Sequence, residues 1–259
     1  SGSSYIGEGH VIGEFRTESW YRFGHGLEYD VDGDDVDENI DEYYAGEWNL
    51  NDVFVDETGT PVYSGEGLWT GESPNADWTG SWRNEFTVYK NFRFGFFLDI
   101  VNDRYMENRG KGQLYRFGTH GDTAVRGDSG PINDWFRHGE KAIGPGATNG
   151  VGEDIEYNQN FFQNIVGYGG DRWSTIENAG YMKLREVTFS YNLRNDYLRR
   201  YGISDVDFTL SGRNLWMKTD YTGWDPDTNR SQGSTNIRGI DYFNSPQIKA
   251  FNFTMRVNF

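Results

Sequence analysis

The chain has 259 residues, of which 36% are apolar and 17% aromatic, with 34 glycines and 6 prolines. This mixture is poor in aliphatic residues and rich in rings and turn formers, which argues against a helical bundle. The formal net charge of −16 would repel phosphate backbones, so we expect no nucleic-acid partner, and the absence of cysteine excludes a disulfide frame, a thiolate metal site and a cysteine nucleophile.

Two further observations bound the class of protein. No run of about 18 apolar residues occurs, which excludes a transmembrane helix and leaves a barrel of transmembrane strands open. The chain begins Ser1-Gly2-Ser3-Ser4, without an initiating Met or a signal peptide, and we expect it to be processed or incomplete.

The first segment that alternates between apolar and polar residues, His10 to Tyr21, is a weak candidate strand. It is followed, from Gly24 to Thr79, by 16 acidic residues without a single Lys or Arg. This block carries the whole net charge, because the remaining residues balance at 24 acidic against 24 basic. The block predicts a solvated loop, with a surface for cations or a docking partner as the alternative.

Five later segments alternate clearly, as strands with one apolar face do. They are Trp82 to Val88, Phe92 to Ile100, Glu186 to Leu193, Val206 to Arg213 and Phe251 to Phe259. The first two predict a hairpin around Tyr89-Lys90-Asn91. Phe92 to Ile100 matches the roughly 9 to 11 residues that a tilted strand needs to cross a bilayer. The one predicted helix is a short turn from Asp196 to Tyr201.

The connections between the predicted strands alternate in length. Residues 89–91 and 194–204 form short connections, whereas 23–79, 107–180 and 217–245 are long. This is the arrangement of outer-membrane barrels, whose long loops are extracellular. Because even small barrels need about eight strands, we expect the chain to be part of a larger barrel. A soluble antiparallel sheet with one wet face is the alternative.

In such a barrel the apolar rows face lipid and the polar rows face the lumen. The residues predicted to face the lumen are Glu186, Thr188, Ser190, Asp207, Thr209, Arg213 and Arg256. On the final strand, the apolar row with Phe251, Phe253 and Phe259 predicts the signal by which the barrel assembly machinery recognises the chain.

Several motifs follow one another along the chain. Gly9-His10-Val11-Ile12-Gly13 and residues 72–80 come first, then the stretch 181–193, residues 211–215 and Tyr221-Thr222-Gly223-Trp224-Asp225-Pro226. Pro246-Gln247 then stands shortly before a final strand that closes on Phe259. In this order they resemble the C-terminal part of the barrel of SusC-like (RagA-like) TonB-dependent transporters, and the resemblance covers essentially the whole chain.

The resemblance implies an all-β fold in which residues 1–259 supply about six strands of a transmembrane antiparallel barrel of roughly 22 strands, with long extracellular loops and short periplasmic turns. Its implied partners are the rest of the barrel, the plug inside it, TonB, a SusD-like surface lipoprotein and outer-membrane lipids. The plug and the N-terminal strands are expected to lie outside this sequence. The implied function is energised import of oligosaccharides or peptides across a Bacteroidota-like outer membrane.

Residues for catalysis are not grouped in the sequence. His10, His25, His120 and His138 are dispersed and form neither an HxxxH nor an HExxH pattern. Carboxylates are abundant, but none is paired in an apolar setting that would raise its pKa for acid catalysis. We therefore expect no enzyme.

One acidic segment has the spacing of a calcium loop. Asp30, Asp32, Asp34 and Asp41 stand at loop positions 1, 3, 5 and 12, with Glu38 at position 9. The match is imperfect, since position 6 is Asp35 rather than Gly and position 12 is Asp rather than Glu. A Ca²⁺ site in an extracellular loop is one hypothesis. A plain acidic loop is the other, and Asp56-Glu57-Thr58-Gly59 could be the equivalent of the acidic segment of the family.

Trp69, Trp173 and Trp224 lie in predicted loops, where they could stack on a sugar ring or contact a lipoprotein lid. Packing within their own loops is the alternative, and for Trp224 a turn-stabilising role. Two other functions remain beside the importer. One is a passive or structural outer-membrane barrel protein, and the other is a soluble carbohydrate-binding β module, suggested by the aromatic content alone.

Overall fold

A computed structural model describes residues 5–136, 139–167, 169–230 and 238–259. The strands are β1 Arg16–Trp20, β2 Glu28–Tyr29, β3 Glu38–Asn39, β4 Val53–Phe54, β5 Tyr63–Trp69, β6 Trp78–Val88, β7 Phe92–Asn102, β8 Tyr105–Asn108, β9 Ser129–Pro131, β10 Ala142–Ile143, β11 Ala147–Thr148, β12 Val151–Gly152, β13 Asp154–Glu156, β14 Ile176–Asn178, β15 Tyr181–Leu193, β16 Asp205–Thr219, β17 Ile240–Asp241 and β18 Ala250–Asn258. The α-helices are α1 Ile40–Tyr43, α2 Arg109–Arg116 and α3 Asp196–Arg199, and shorter helical turns lie at Gly121–Val125, Ile132–Trp135, Phe161–Ile165 and Trp173–Thr175. Among these described residues, no helix is long and apolar enough to cross a membrane.

The chain divides into two compact units. The sheet unit comprises Asn75–Tyr105, Asn178–Thr228 and Asn244–Phe259. The loop unit comprises Ser1–Pro74, Met106–Glu177 and Asn229–Phe243, within the described residues. The long segments that the sequence predicted only as loops therefore supply a compact unit of their own.

The sheet unit contains one five-stranded antiparallel sheet in the order β18, β16, β15, β7, β6. Its strands contain between 9 and 15 residues. All five clearly alternating segments of the sequence lie in this sheet, which confirms the all-β prediction. The lengths suit strands that cross a bilayer at a tilt.

The two short connections lie at one end of this sheet. Val88 pairs with Phe92, so residues 89–91 form the predicted tight hairpin, with positive φ angles at Tyr89 (50°) and Lys90 (62°). Two successive left-handed residues give a turn whose twist matches that of the flanking strands. Residues 194–204 join β15 to β16 and contain α3, the predicted short helix.

The long segments leave from the opposite end. Trp78 pairs with Asn102 there, and Tyr181 pairs with both Val101 and Thr219. Residues 5–77 therefore enter β6 at this end, while 103–180 and 220–249 connect strands there. The alternation of short and long connections that the sequence predicted is confirmed.

The register aligns the apolar residues of all five strands into rows on one face. Phe94, Phe189, Leu210 and Phe253 lie side by side on four neighbouring strands. Ring centroids are 4.5 Å apart for Phe92 and Tyr191 and 5.1 Å apart for Trp82 and Phe96. Such cross-strand pairs stabilise a sheet by about 0.2 to 1 kcal/mol each.

A bulge interrupts β15 and β16 near their long-segment end. Leu184 pairs with Leu98 and Glu186 pairs with Phe97, so Arg185 is an extra residue in β15. On β16 the same two residues pair with Trp216 and Arg213. Because a bulge re-aims side chains without breaking the pattern beyond it, Trp216 stays in the apolar row.

The predicted sixth strand behaves differently. The segment His10 to Tyr21 contains β1, which pairs with β5 in the loop unit and not with the five-stranded sheet. Two of its side chains form hydrogen bonds within the loop unit. The Trp20 indole donates to the Ile165 carbonyl (3.0 Å), and the Ser19 hydroxyl donates to Asp171 (2.7 Å).

Two apolar cores organise the loop unit around the parallel pair β4 and β10. Because successive side chains of a strand point to opposite sides, Val53 packs in one core and Phe54 in the other. Ala142 and Ile143 divide in the same way. Burial of each large apolar side chain contributes about 1.5 to 3 kcal/mol, so the two cores give these long segments a fixed structure.

A buried arginine ties three distant segments of the loop unit together. The Arg22 guanidinium lies 2.7 Å from a Glu140 carboxylate oxygen and 3.1 Å from an Asp171 carboxylate oxygen. It also donates to the Ser19 hydroxyl (3.0 Å) and lies 4.7 Å from the centroid of the Trp173 ring. Since its side chain is only 1% exposed, these partners replace the water that the charge would otherwise need.

Candidate functional site

The face of the sheet opposite the apolar rows is polar. Glu186 pairs with Arg213, whose Nε lies 3.6 Å from the carboxylate, and the hydroxyls of Ser190 and Thr209 are 3.1 Å apart. All seven residues that the sequence predicted to face the lumen share this face: Glu186, Thr188, Ser190, Asp207, Thr209, Arg213 and Arg256. The Arg213 and Glu186 side chains are 63% and 34% exposed, which suits a wall in contact with water, whereas Ser190 is buried.

At the long-segment end of this face lies a group of five charged residues, the charged cluster, formed by Asp99, Lys183, Arg185, Asp225 and Asp227. Arg185, the bulge residue, donates from Nη2 to Asp99 (2.7 Å) and lies 2.7 Å from an Asp227 carboxylate oxygen through Nη1. The Tyr181 hydroxyl donates to Asp227 at 3.0 Å. One arginine thus joins β7, β15 and the segment that follows β16.

Lys183 occupies the most enclosed position of the charged cluster. Its side chain is 5% exposed, forms an ion pair with Asp225 and lies 3.6 Å from Asp227. Asp225 is enclosed as well, and its second oxygen accepts a hydrogen bond from the backbone N–H of Gln247 (3.0 Å). Asp225 therefore connects Lys183 of β15 both to the turn at 221–228 and to the segment with Gln247 that precedes β18.

The environment of Asp227 keeps that carboxylate charged. Burial raises its pKa, but the hydrogen bond from Arg185 and the charges of Lys183 and Arg185 outweigh burial, so the pKa of Asp227 lies below its usual value. A carboxylate held in this way is a structural anchor and a poor general acid. The charged cluster therefore positions a long segment and has no arrangement that would support acid catalysis.

The sequence did not reveal the charged cluster, although its members lie in or beside the family-like motifs. Lys183 and Arg185 belong to the 181–193 stretch, and Asp225 belongs to the Tyr-Thr-Gly-Trp-Asp-Pro motif. Asp99 is the acidic residue of the run 92–100, where it alternates with the apolar row. The available signal was the presence of two cations, Lys183 and Arg185, in the alternating strand β15, because such cations indicate acidic partners on neighbouring segments.

The three tryptophans proposed for ligand or lid contact have different surroundings. Trp173 is 5% exposed and packs against Arg22, so the prediction that it contacts a ligand is wrong. Trp69 stacks on the His10 ring, with centroids 3.9 Å apart, which also favours packing within its own unit. Trp224 is 75% exposed and lines a pocket of about 290 Å³ in the sheet unit, so it alone of the three remains a candidate.

The acidic loop brings together a different set of carboxylates from the predicted one. Oxygens of Asp30, Asp32 and Glu38 lie within 4.8 Å of one another. Asp34 is not part of this group. Asp41 accepts hydrogen bonds from the backbone N–H groups of Gly24 (2.7 Å) and Gly26 (2.8 Å) instead. The grouping of Asp30 and Asp32 with Glu38 differs from the predicted four-aspartate set, and Asp41 caps a neighbouring turn; calcium binding by this loop stays a prediction.

The alternative acidic segment has a local role. Asp56 accepts hydrogen bonds from the backbone N–H groups of Thr58 (2.8 Å) and Thr60 (3.0 Å). An aspartate that bonds its own backbone two residues on stabilises a tight turn. Asp56-Glu57-Thr58-Gly59 is therefore a turn whose aspartate is already engaged.

The histidines and the terminal aromatic residues lie apart from these groups. Each described histidine has its own local partner: Glu14 for His10, Asn51 for His25 and Asp122 for His120, while His138 lies outside the described residues. Phe251 and Phe253 lie on β18 and Phe259 follows it, all strongly exposed on the apolar row. Their part in membrane assembly stays a prediction.

Comparison with known proteins gives similarity in sequence and in fold. The chain is 33% identical over 89 residues to TonB-dependent receptor P3 of Formosa agariphila, which covers 32% of this chain and 9% of the receptor. No family model matches the chain. The fold is similar to that of the RagAB peptide importer in its open-open state, with a TM-score of 0.50, 14% identity, and coverage of 99% of this chain and 24% of that chain. The closed-closed state gives the same TM-score and identity, with coverage of 98% and 25%.

The chain thus spans about a tenth of the curated relative and about a quarter of the solved structures that it matches. These proteins are named as a receptor and an importer, not as enzymes. The five-stranded sheet with its long segments at one end has the fold of these barrels. The fold and the receptor-like stretch of sequence together support the resemblance of this chain to a segment of a SusC-like TonB-dependent transporter of the outer membrane.

Proposed function

We propose that the protein to which this chain belongs imports oligosaccharides or peptides across the outer membrane, driven by TonB and assisted by a SusD-like surface lipoprotein. The observation that carries the proposal is the two-faced sheet, whose apolar rows run along one face while ion pairs and hydroxyls cover the other. In a barrel wall the first face contacts lipid and the second contacts the lumen or the plug.

The pattern of connections supports the same function. All long segments leave one end of the sheet, which in outer-membrane barrels is the extracellular end. The loop unit that these segments build has packed apolar cores, so it offers a fixed surface rather than a fluctuating one. A fixed extracellular surface suits docking of a lipoprotein that delivers substrate, because less ordering entropy is lost on binding.

The charged cluster contributes to this function as a positioning device. It fastens the segment after β16 and the approach to β18 to the polar face of β15. Trp224, which lies next to Asp225 and is 75% exposed, is thereby held in place. We assign it to contact with the substrate or the lid, where a rigid indole gives a large contact area at low entropic cost.

Uptake in whole cells tests the proposal. Cells that express the full-length protein should accumulate a labelled oligosaccharide or peptide, and a protonophore that collapses the energy supply to TonB should abolish accumulation. Deletion of a neighbouring gene for a SusD-like lipoprotein should reduce uptake at low substrate concentration. Uptake that continues unchanged with the protonophore would instead indicate a passive barrel protein.

A further inference from the structure

Strand β16 continues beyond the end of its neighbour β18. Ala250, the first residue of β18, pairs with Arg213, whereas β16 runs on to Thr219 and stays paired with Tyr181 of β15 on its other side. Residues 214–219 therefore have one paired edge and one open edge. No described residue forms a backbone hydrogen bond with this open edge, which is about 20 Å long at the usual rise of a strand.

The open edge lies beyond the part of β16 that is needed to cross a bilayer. Nine residues of β16, Asp205 to Arg213, pair with β18, which is about the number that a tilted strand needs. The open edge continues from there toward the long-segment end of the sheet. Unpaired backbone groups are excluded from the hydrocarbon region, but beyond it they are available to water or to a ligand.

A pocket lies along the open edge. At Asn214, where φ is 52°, the side-chain amide donates to the carbonyl of Ile248 (3.1 Å), so the segment that leads into β18 passes beside β16 without pairing with it. Residues of both segments line the pocket of about 290 Å³ described above, among them Trp216, Met217 and Lys249. Because consecutive residues of a strand point to opposite faces, a pocket lined by both Trp216 and Met217 includes the strand edge between them.

The polar groups of the pocket fall into two sets. Asp225 and Lys183 are paired with each other, and the Gln247 amide donates to Asp227 and accepts a hydrogen bond from the charged cluster as well. By contrast, the ammonium group of Lys249 has no ion-pair partner among the residues that the structure describes. The two exposed indoles of the lining, at positions 216 and 224, likewise form no hydrogen bond within the described ranges.

An extended peptide has the groups that complement this second set. Every second residue of a strand directs its N–H and C=O groups to the same neighbour, so an added strand can pair with the open edge at the matching spacing. The side chains of such a strand alternate, which brings apolar groups to the indoles, and a carboxylate is attracted by Lys249. An oligosaccharide stacks on indoles but has no repeat of donors and acceptors that matches a strand edge.

We propose that the open edge of β16 binds an extended peptide as an added strand, with an apolar side chain in the pocket lined by Trp216 and Trp224 and a carboxylate beside Lys249. The proposal rests on the proposed function, because it names peptides as the substrate class at the site to which Trp224 was assigned. Binding is measured without TonB, its energy supply or the lipoprotein. Failure of import therefore leaves this binding intact, and failure of this binding leaves import of another substrate intact.

Fluorescence anisotropy of the full-length protein in detergent tests the strand pairing with a labelled pentapeptide, Thr-Val-Phe-Val-Glu. Two further forms carry N-methyl groups, one on the first, third and fifth residues and the other on the second and fourth. An added strand donates to β16 from every second residue only. We therefore expect one methylated form to bind at least about 10-fold more weakly than the unmodified peptide and the other to bind like it.

Variants of the lining residues place the peptide in this pocket. Trp216→Ala should weaken binding of the unmodified peptide about 30-fold, as loss of a central aromatic contact does, and Lys249→Gln should weaken it about threefold. Lys90→Gln, an exposed lysine at the opposite end of the sheet, is the matched control and should bind like wild type. Folding is checked by heat-modifiable migration on a gel. Should Trp216→Ala fail to fold, Trp224→Ala is expected to weaken binding about 10-fold.

Three results would overturn the proposal. The first is equal affinity of the two methylated forms, because pairing with one edge must distinguish them. The second is unchanged affinity in whichever of the two tryptophan variants folds. The third is displacement of the peptide by an equal concentration of maltohexaose, which would indicate a site for an oligosaccharide.

Discussion

Replacing Lys183 by methionine should release the segment that follows β16. The lysine is almost fully enclosed and pairs with Asp225, which is 4% exposed. Methionine has a similar volume but no charge, so the variant leaves the Asp225 carboxylate buried without its cation. Removal of one partner from a buried ion pair costs about 3 to 5 kcal/mol.

That cost should appear as local opening, because Asp225 fastens residues 221–228 and Gln247 to β15. A loss of about 3 to 5 kcal/mol raises the population of the open form by roughly 150- to 4,000-fold. Limited proteolysis of the purified full-length protein measures this population when opening is faster than cleavage. We expect new cuts around Trp224 in the Lys183→Met variant at a rate at least about 100-fold above wild type.

Two variants make the result specific. The double variant Lys183→Met/Asp225→Asn should be cleaved more slowly than the single variant, because no unpaired charge remains and the amide oxygen introduced at position 225 can still accept a hydrogen bond from the Asp227 N–H. Lys90→Met, in the exposed hairpin turn, should be cleaved like wild type. Equal cleavage rates for Lys183→Met and Lys90→Met would refute the anchoring role of the charged cluster.

Four further predictions concern the two faces, the final residue, the acidic loop and the pH dependence. Phe208→Arg should reduce the amount of folded, heat-modifiable barrel in the membrane, because a charge on the lipid face costs about 2 to 4 kcal/mol at the midplane. Thr209→Arg, on the polar face, should insert normally. Equal amounts of folded barrel for the two variants would contradict the assignment of faces. Deletion of Phe259 should lower the folded amount in cells without changing the mobility of the barrel that does form, and unchanged levels would exclude an assembly signal. If Asp30, Asp32 and Glu38 bind calcium, a chelator should produce new proteolytic cuts between Glu28 and Glu42 in wild type. The chelator should produce no new cuts in the Asp32→Asn variant. The same digestion pattern of wild type with and without chelator would favour a solvated acidic loop. Because the pKa of Asp227 is lowered in the folded protein, its anchoring is fully present above about pH 4 and is lost as the pH falls through the lowered value. Pepsin should therefore cut near Trp224 increasingly as the pH falls below about 4. A cleavage rate that does not change with pH there, after correction for pepsin activity, would contradict this role.

The five membrane strands were readable from the sequence because one face of each must be apolar along its whole length. A period of two over nine residues, as from Phe92 to Ile100, is typical of a strand with one apolar face and does not fit a helix. The hairpin was readable from the gap between two such runs, although Tyr89 and Lys90 lack the Asn-Gly signature of a left-handed turn. The lengths of the two alternating runs therefore sufficed to predict the hairpin, although the turn residues themselves gave no signal.

The loop unit was not readable for a physical reason. Its strands β4 and β10 contain two residues each, too few to show a period, and its cores join residues far apart in sequence, such as Trp20 and Phe161. The misplacement of Asp41 has a similar cause, since the glycine N–H groups from which it accepts hydrogen bonds lie 15 and 17 residues away. Long-range partners of single polar residues leave no periodic trace in a sequence.

The bulge at Arg185 explains why the charged cluster was missed. An unbroken alternation would place Arg185 on the same face as Val187, in the apolar row, whereas the extra residue lets its guanidinium reach Asp99 and Asp227. A bulge depends on the register of two neighbouring strands. The sequence of β15 alone does not contain that register.

The central claim, that this sheet is the wall of a membrane barrel with lipid on one face and water on the other, is tested most directly by scanning β16 with single cysteines. The chain has no cysteine of its own, so each variant from Val206 to Ser211 carries one label in the full-length protein reconstituted into lipid. We predict that a lipid-soluble quencher reaches labels at residues 206, 208 and 210, while a water-soluble quencher reaches labels at 207, 209 and 211, with a period of two. Equal access of the water-soluble quencher to all six labels would contradict the claim.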